Sequence, residues 1–295
     1  MVQDLSIASG ARLIPAAALA HVPGLEAGAR PVAVSLLPGG TVNRSFRIDT
    51  GAGRFVLRLN AIEGDVLGAN HEREAQLQRA AAAGGVAPPL IYADSQRRFM
   101  ISKFIDGRVW QASDLESREG ARWLGARLRV LHAIAVPAAA PFDPAARLRD
   151  YCARLITALP AESALYETLL QQSEATLALC AVGGRKAAIV HNDLHHSNLI
   201  EADRLYLIDW EYAAVADPIF DLACILAYYP HAQPYAQDLL DSAGLGEEAS
   251  IPMLLAASAL YVLLSFLWYR LRRLTCEAAP ADLAAEEALL RRLRA

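Results

Sequence analysis

Within the stretch His191-Asn192-Asp193-Leu194-His195-His196-Ser197-Asn198 an acid, two amides and three imidazoles fall in a single short loop. Read as H-x-D-x-x-x-x-N, and followed by Leu207-Ile208-Asp209-Trp210-Glu211, it has the composition of a phosphoryl-transfer loop. In that chemistry a carboxylate, here Asp193, faces the attacking hydroxyl and accepts its proton. The amide of Asn198, one loop-length on, reaches a Mg²⁺ held on nucleotide phosphates. Asp209 then follows the next strand as a second ligand, since hard Mg²⁺ takes few protein oxygens besides phosphate and water. The apolar runs Leu199-Ile200 and Leu205-Tyr206-Leu207-Ile208 flank Glu201-Ala202-Asp203-Arg204. That is a hairpin signature, and it predicts Asn198 and Asp209 side by side.

A zinc site of hydrolase type is the competing reading of His191, Asp193, His195 and His196. It leaves Asn198 and Asp209 without a role, and no second His or Cys cluster completes it. A lone H-x-D is common by chance and a His-rich loop is usually a polar turn. Here three elements agree in order and spacing.

The segment resembles the aminoglycoside phosphotransferase and choline kinase superfamily, relatives of the protein kinases. Within it, Ile208-Asp209-Trp210-Glu211-Tyr212-Ala213 followed by Asp217-Pro218-Ile219-Phe220-Asp221-Leu222-Ala223 is similar to bacterial choline kinases and thiamine kinase-like phosphotransferases. The resemblance runs from about Leu37 to the end, strong in the catalytic loop and weak at both termini. It implies an α+β, bilobal protein-kinase-like fold: a leader with a short helix (1–30), a small antiparallel-sheet N-lobe that binds nucleotide (31–105), and a larger, mainly helical C-lobe with the catalytic loop and acceptor site (106–295). The implied activity is ATP- and Mg²⁺-dependent transfer of phosphate to the hydroxyl of a small molecule, a cationic alcohol such as choline or thiamine before ethanolamine. An aminoglycoside, sugar or homoserine is the alternative acceptor. Metal-dependent hydrolysis, or a catalytically idle kinase-like binding protein, lies further off.

Those roles need positioning elements. Ile14 to His21 reads as a short helix ended by Val22-Pro23-Gly24. Val32 to Leu37 is a strand running into Pro38-Gly39-Gly40-Thr41-Val42-Asn43-Arg44-Ser45. Phe46-Arg47-Ile48 and Phe55 to Leu59 alternate like strands about the turn Asp49 to Gly53. A glycine-rich turn between strands can cover phosphates, with Gly39, Gly40, Asn43 and Ser45 as the candidate cradle. It is not G-x-G-x-x-G, and Gly-Gly between strands is usually only a hairpin. By resemblance, Arg58 on the third strand holds the phosphates, bidentately if it does so. Glu74, on a helix from about Gly68 to Ala83, orients it; Glu72 and Glu74 also read as exposed helix charges. The resemblance further implies that the backbone of Ser102 to Ile105, Ser102 and Phe104 included, binds adenine.

Downstream, Leu115 to Ile134, Ala145 to Leu159 and Ser163 to Ala181 read as helices, with His132 in the core. Pro137 to Pro144 is a connector, and Ala187 to Val190 is the strand into the loop. His191 and Asp221 are structural supports, Asp221 as a helix-capping Asp beneath the loop backbone. Glu211 and Asp217 add negative charge near the metal. With the aromatics Trp210, Tyr212, Tyr228, Tyr229, Tyr261, Trp268 and Tyr269 they suit a permanent cation, although aromatics at helical spacing are usually core. Trp210-Glu211 in place of Phe-Gly implies that there is no mobile activation loop.

Composition limits the partners. The 295 residues carry a formal charge of −4, which gives no basic footprint for nucleic acid. Cys152, Cys180, Cys224 and Cys276 are scattered, as buried free thiols of a reducing cytosol are. The N-terminus lacks a basic region followed by an apolar core, so a cytoplasmic protein is expected. Ile251 to Tyr269 is long and apolar enough to span a bilayer. Pro252, Ser258 and Ser265 within it favour a helix buried in the helical lobe, with no membrane contact. Oligomeric state, and ATP against GTP, leave no mark on the sequence.

Overall fold

The computed structural model describes residues 3–4, 13–25, 29–38, 43–61, 70–136, 142–181, 184–275 and 280–294. The chain forms two compact units, Met1–Val109 with Leu199–Glu211, and Trp110–Asn198 with Tyr212–Ala295. The first contains β1 (Gln3–Asp4), α1 (Ala16–Leu19), β2 (Ala33–Leu36), β3 (Arg44–Thr50), β4 (Gly53–Leu59), α2 (His71–Ala83), β5 (Leu90–Ala93), β6 (Phe99–Lys103) and β7 (Arg108–Val109). The second begins with α3 (Ala112–Leu115), α4 (Arg118–His132), α5 (Pro144–Ala158), α6 (Ser163–Ala181) and β8 (Ala188–Val190). The hairpin β9 (Leu199–Glu201) and β10 (Leu205–Leu207) belongs to the first unit. The second resumes with β11 (Ala214–Ala216), α7 (Ile219–Tyr228), α8 (Ala236–Ala243), α9 (Ile251–Thr275) and α10 (Pro280–Arg294).

In the first unit the strands lie in the order β1-β2-β3-β4-β6-β5, each neighbour antiparallel. Period-two alternation sets the faces: Phe46 and Ile48 are buried on β3 and register with Leu57 and Phe55, both buried on β4. The opposite face of β3 is polar, where Arg47 pairs with Asp49 at 2.6 Å. The segment read as a leader packs into this unit, because Ile14, Ala18, Val22 and Leu25 join Val34, Phe46 and Ile48 in one core. Burying each larger apolar side chain contributes about 1.5–3 kcal/mol, enough to fix so short a helix. In the same unit, β7 extends the hairpin into a three-stranded sheet, β10-β9-β7. Gly107 allows that approach, since a Cβ there would lie 2.3 Å from the Glu201 carbonyl oxygen.

The second unit is helical around a small ladder in which β8 registers with β11, Val190 opposite Ala214. The helix expected over 115–134 is α4, Arg118–His132, and the separate short α3 ends just before it. Ser117 caps α4 by accepting from Gly120 N at 3.0 Å, and Asp114 accepts from Gln111 N at 2.7 Å. Such side chains offer the backbone a local alternative to a continuous helix. Helix α9 packs against α5, α6, α7 and α10, burying Leu254, Ala257, Leu260, Phe266 and Leu267. Among the described residues it is the one helix long and apolar enough to cross a membrane. Its last turns are charged and paired within the unit: Arg272 meets Asp282 at 3.1 Å and Arg270 meets Glu286 at 3.0 Å.

Candidate active site

The loop after β8 is built on one face of α7. Asp221, fully buried, accepts from the backbone N–H groups of His191 and Asn192, each at 2.9 Å. Its other oxygen meets His132 Nε2 at 2.9 Å, so the core histidine is a second support of the loop. Cys224, one turn on, accepts from Leu194 N at 3.1 Å. Another turn on, the Tyr228 hydroxyl donates to Asp193 Oδ1 at 3.0 Å, and the Tyr229 hydroxyl oxygen accepts from His196 N at 2.8 Å. From α9 the Tyr261 hydroxyl donates to the Asn192 carbonyl at 2.7 Å. These bonds hold Asn192 at φ 61°, a left-handed backbone that a non-glycine residue keeps only when its surroundings over-determine it.

Asp193 is thereby fixed at both oxygens. Its Oδ2 takes Asn198 Nδ2 at 3.2 Å and lies 3.5 Å from His195 Nε2. Burial works to raise the Asp193 carboxyl. The His195 hydrogen bond, the charges of His195 and His191, and the Tyr228 hydrogen bond outweigh it and hold the group below its ordinary value. Asp193 is therefore an ionised acceptor at neutral pH. Asn198 Nδ2 also donates to the Asp193 carbonyl at 2.9 Å, which leaves its Oδ1 as the atom for a metal.

The histidines do not gather as a zinc site would require. His195 is bonded to Ser197 at 2.7 Å, His196 turns to the Tyr229 hydroxyl at 2.6 Å, and His191 is fully buried. Among the described residues no three His, Cys, Asp or Glu side chains converge on one point.

The first unit holds the other charged cluster. Arg58 on β4 donates to Glu74 Oε2 at 2.5 Å, to Asp209 Oδ1 at 2.9 Å and to Asn60 Oδ1 at 3.0 Å. Glu74, 1% exposed, also meets His71 Nδ1 at 3.0 Å. Burial acts to raise it, but Arg58 and His71 hold it below its ordinary value. Of the two helix glutamates it is thus Glu74 that faces the cation. Glu72 pairs with Arg97 at the surface. Asp209 follows β10 at φ 64°, again left-handed. Asn43 donates to Glu211 Oε2 at 2.7 Å, and burial followed by the Asp209 charge pushes the Glu211 carboxyl up to about 8. Ser45 registers opposite Arg58, and Ser102 opposite Val56. The Phe104 ring lies under Arg47 at 4.8 Å, with its N–H on the Arg54 carbonyl. Gly39 and Gly40 fall outside the described residues.

Two of the candidate acceptor residues need correction. Trp210 is 1% exposed and its Nε1 donates to the Leu207 carbonyl at 2.9 Å, so it is core and presents no face to a ligand. Asp217 adds no free charge, because Arg185 pairs with it at 2.8 Å. It also accepts from Ile219 N, the first N–H of α7, at 3.0 Å, from the position just before Pro218. Asp221 lies inside the first turn and supports the loop without capping the helix. Tyr212 and Trp268 do meet, edge to face at 6.2 Å, with Arg272 over the Trp268 ring at 5.4 Å. Sequence reasoning missed the contacts of Cys224 and Tyr228 with the loop. The three-residue step from Asp221 to Cys224 and the four-residue step from there to Tyr228, along one helix, carry that signal.

The profile of the phosphotransferase enzyme family that contains the aminoglycoside phosphotransferases matches residues 33–253, and the chain belongs to that family. Its fold is the protein-kinase-like α+β fold of the solved structures it resembles. A choline/ethanolamine kinase family protein from Mesorhizobium loti superposes with a TM-score of 0.78 at 24% identity, over 98% of this chain and 94% of that one. The choline kinase LicA from Streptococcus pneumoniae superposes with a TM-score of 0.73 at 18% identity, over 88% of this chain and 94% of that one. Protein LicA of Haemophilus influenzae is 47% identical over 51 residues, 17% of this chain. That match spans only 19% of the relative's own length.

Proposed function

We propose that the chain transfers the γ-phosphoryl group of ATP, with Mg²⁺, to the hydroxyl of a small cationic alcohol of the choline or thiamine type. The observation that carries this reading is the setting of Asp193. An ionised carboxylate takes the Tyr228 hydroxyl and lies 3.5 Å from His195 Nε2, and the Tyr228 ring in turn meets Tyr261 at 5.9 Å and His195 at 5.8 Å. Aromatic faces attract a quaternary or protonated amine by about 0.5–2 kcal/mol each, and the carboxylate is there to take the hydroxyl proton. Since Arg185 neutralises Asp217, selection for a cation rests on the rings and on Asp193 itself. Similarity to the choline/ethanolamine kinase family protein of Mesorhizobium loti and the choline kinase of Streptococcus pneumoniae supports the same acceptor class.

Each unit carries an oxygen donor of the kind the metal takes. An amide oxygen from Asn198 and a carboxylate from Asp209 are hard ligands, few in number, as Mg²⁺ on phosphates takes. When bound, Mg²⁺ supplies charge neutralisation at the phosphates. Asp193 orients the hydroxyl and accepts its proton late in the transfer. Arg58, oriented by Glu74, offers a fixed guanidinium to the nucleotide phosphates. Because the barrier is lowered chiefly by positioning and electrostatics, each of these groups contributes heavily. The buried thiols Cys152, Cys180 and Cys224 suit a reducing, cytoplasmic setting.

The test is ADP release with and without Mg²⁺ across choline, thiamine, ethanolamine, homoserine, sugars and aminoglycosides. A cationic alcohol is expected to be the best acceptor. Asp193→Ala and Asp209→Ala are expected to lower kcat at least a hundredfold while the folded signal by circular dichroism persists. Preference for a neutral sugar would overturn the acceptor class, and near-wild-type turnover in either variant would overturn the assigned roles.

A further inference from the structure

Among the described residues three tyrosine hydroxyls bond to the catalytic loop, and they are not equivalent. Tyr229 is 7% exposed and its hydroxyl is engaged with the backbone and ring of His196. Tyr261 gives its hydroxyl to the Asn192 carbonyl. Tyr228 is the one whose hydroxyl reaches the reacting carboxylate, and its ring is 40% exposed. That ring stands edge-on to His195 at 83° and to Tyr261 at 65°, on the last residue of α7.

We propose that Tyr228 is the positioning residue of Asp193 and, through its exposed ring, a wall of the acceptor pocket that sets acceptor affinity. The inference rests on the role given to Asp193 above. Its physical basis is the two-fold softness of a carboxylate about its terminal torsion. Asn198 pins Oδ2 and Tyr228 pins Oδ1; with one pin gone the carboxylate turns away from the direction in which the hydroxyl must approach. Loss of orientation at the attacking group costs rate without costing nucleotide binding. A phenol kept protonated beside an ionised Asp193 remains the donor, so the bond does not compete for the substrate proton.

The experiment separates the hydroxyl from the ring. Tyr228→Phe keeps the ring; kcat is expected to fall about tenfold, with KM for ATP and for the acceptor each within twofold of wild type. Tyr228→Leu removes both; kcat is expected to fall as far, and the acceptor KM to rise about fivefold. The acceptor is the alcohol of the panel above that the wild type uses fastest. Intrinsic Mg-ATP hydrolysis, with water as the attacking group, is followed in parallel, so the test does not hang on one acceptor; it is expected to fall in both variants. A merely structural tyrosine would instead lower the melting temperature and move kcat and both KM values together, and that pattern would overturn the inference. So would wild-type kcat in Tyr228→Phe. If Asp193→Asn is inert while Tyr228→Phe is fully active, this inference fails and the kinase reading stands. If Asp193→Asn keeps wild-type turnover, both fail.

Discussion

The Asp193 loop in the second unit and the Arg58 cluster in the first each hold a charged group still, by different physics. Around Asp193 the work is shared among many bonds of modest strength. Backbone N–H groups fall on Asp221, Cys224 and Tyr229, and one phenol and one amide grip the carboxylate. Around Arg58 a single guanidinium balances Glu74 and Asp209, with the Glu211 carboxyl close enough to feel Asp209. Shared hydrogen bonds give a geometry that degrades one contact at a time. A cluster with one cation concentrates its stability in that cation, because any carboxylate left without it stays buried and charged.

Arg58→Met is therefore the largest expected change. It strands Glu74, 1% exposed, with only His71 beside it. Breaking a buried pair in this way costs about 3–5 kcal/mol, readable as a shift of the urea midpoint in the nucleotide-free protein. Arg58→Met with Glu74→Leu is expected to recover most of the loss, since the fully buried carboxylate is then gone and the remaining Asp209 is 36% exposed and solvated. A cost for the single variant as small as a surface pair's would mean that the cluster is not what holds this part of the first unit together.

Asp221→Ala tests the other side of the comparison. It leaves the N–H groups of His191 and Asn192 buried without an acceptor, at about 1–3 kcal/mol for each orphaned group. The conservative Asp221→Asn keeps an oxygen where both N–H groups point, and its cost is expected near 1 kcal/mol. In Asp221→Ala, kcat is expected to fall with stability, because the φ 61° at Asn192 loses its support. A variant as stable as wild type would show that the loop is shaped by its own sequence and not by α7.

How much of this could be read before the fold was known follows the same division. The loop motif, the hairpin that separates Asn198 from Asp209, and the strands around Phe46 and Phe55 were legible, because hydrophobic alternation and turn residues are local signals. What failed was long-range. Trp210 sat in the right motif, yet whether it faces a ligand or the core is decided by packing that no short window contains. Asp217 and Asp221 look alike near the start of an apolar helix. Only the position of Arg185, 32 residues away, makes the first an ion pair and leaves the second to the loop. The segment before residue 30 showed no chemistry and was set apart, although its alternating small and branched residues belong to the first unit's core.

Glu211 gives a pH-dependent comparison of intermediate size. Its carboxyl is raised to about 8 in the folded protein from an ordinary 4.5. Between those values the folded state keeps a proton that the unfolded chain has released, so this group makes stability fall as pH rises through the window. Glu211→Gln removes the titration. Its stability relative to wild type is expected to increase by about 2 kcal/mol between pH 6 and pH 7.5 in nucleotide-free, metal-free protein, at ~1.4 kcal/mol per pH unit. Parallel stability curves for the two proteins across that range would show that Glu211 is already ionised there. The Asn43 bond to it would then be charge-assisted.

The smallest effect comes from the closest comparison, Glu72 against Glu74, two positions apart in the first turn of one helix. Each has an arginine partner at hydrogen-bond distance, Arg97 at 2.9 Å and Arg58 at 2.5 Å. The Glu72 carboxylate is 79% exposed and Arg97 is 47% exposed, so water solvates both whether or not they meet, and their pairing costs two long side chains their freedom. Glu72→Ala is expected to shift stability by no more than about 0.5 kcal/mol and to leave kcat unchanged. Glu74→Ala, which leaves the Arg58 guanidinium without its buried partner, is expected to cost several times as much and to raise the KM for ATP. Equal effects from the two substitutions would mean that burial does not separate them, and that Asp209 and Asn60 suffice to orient Arg58.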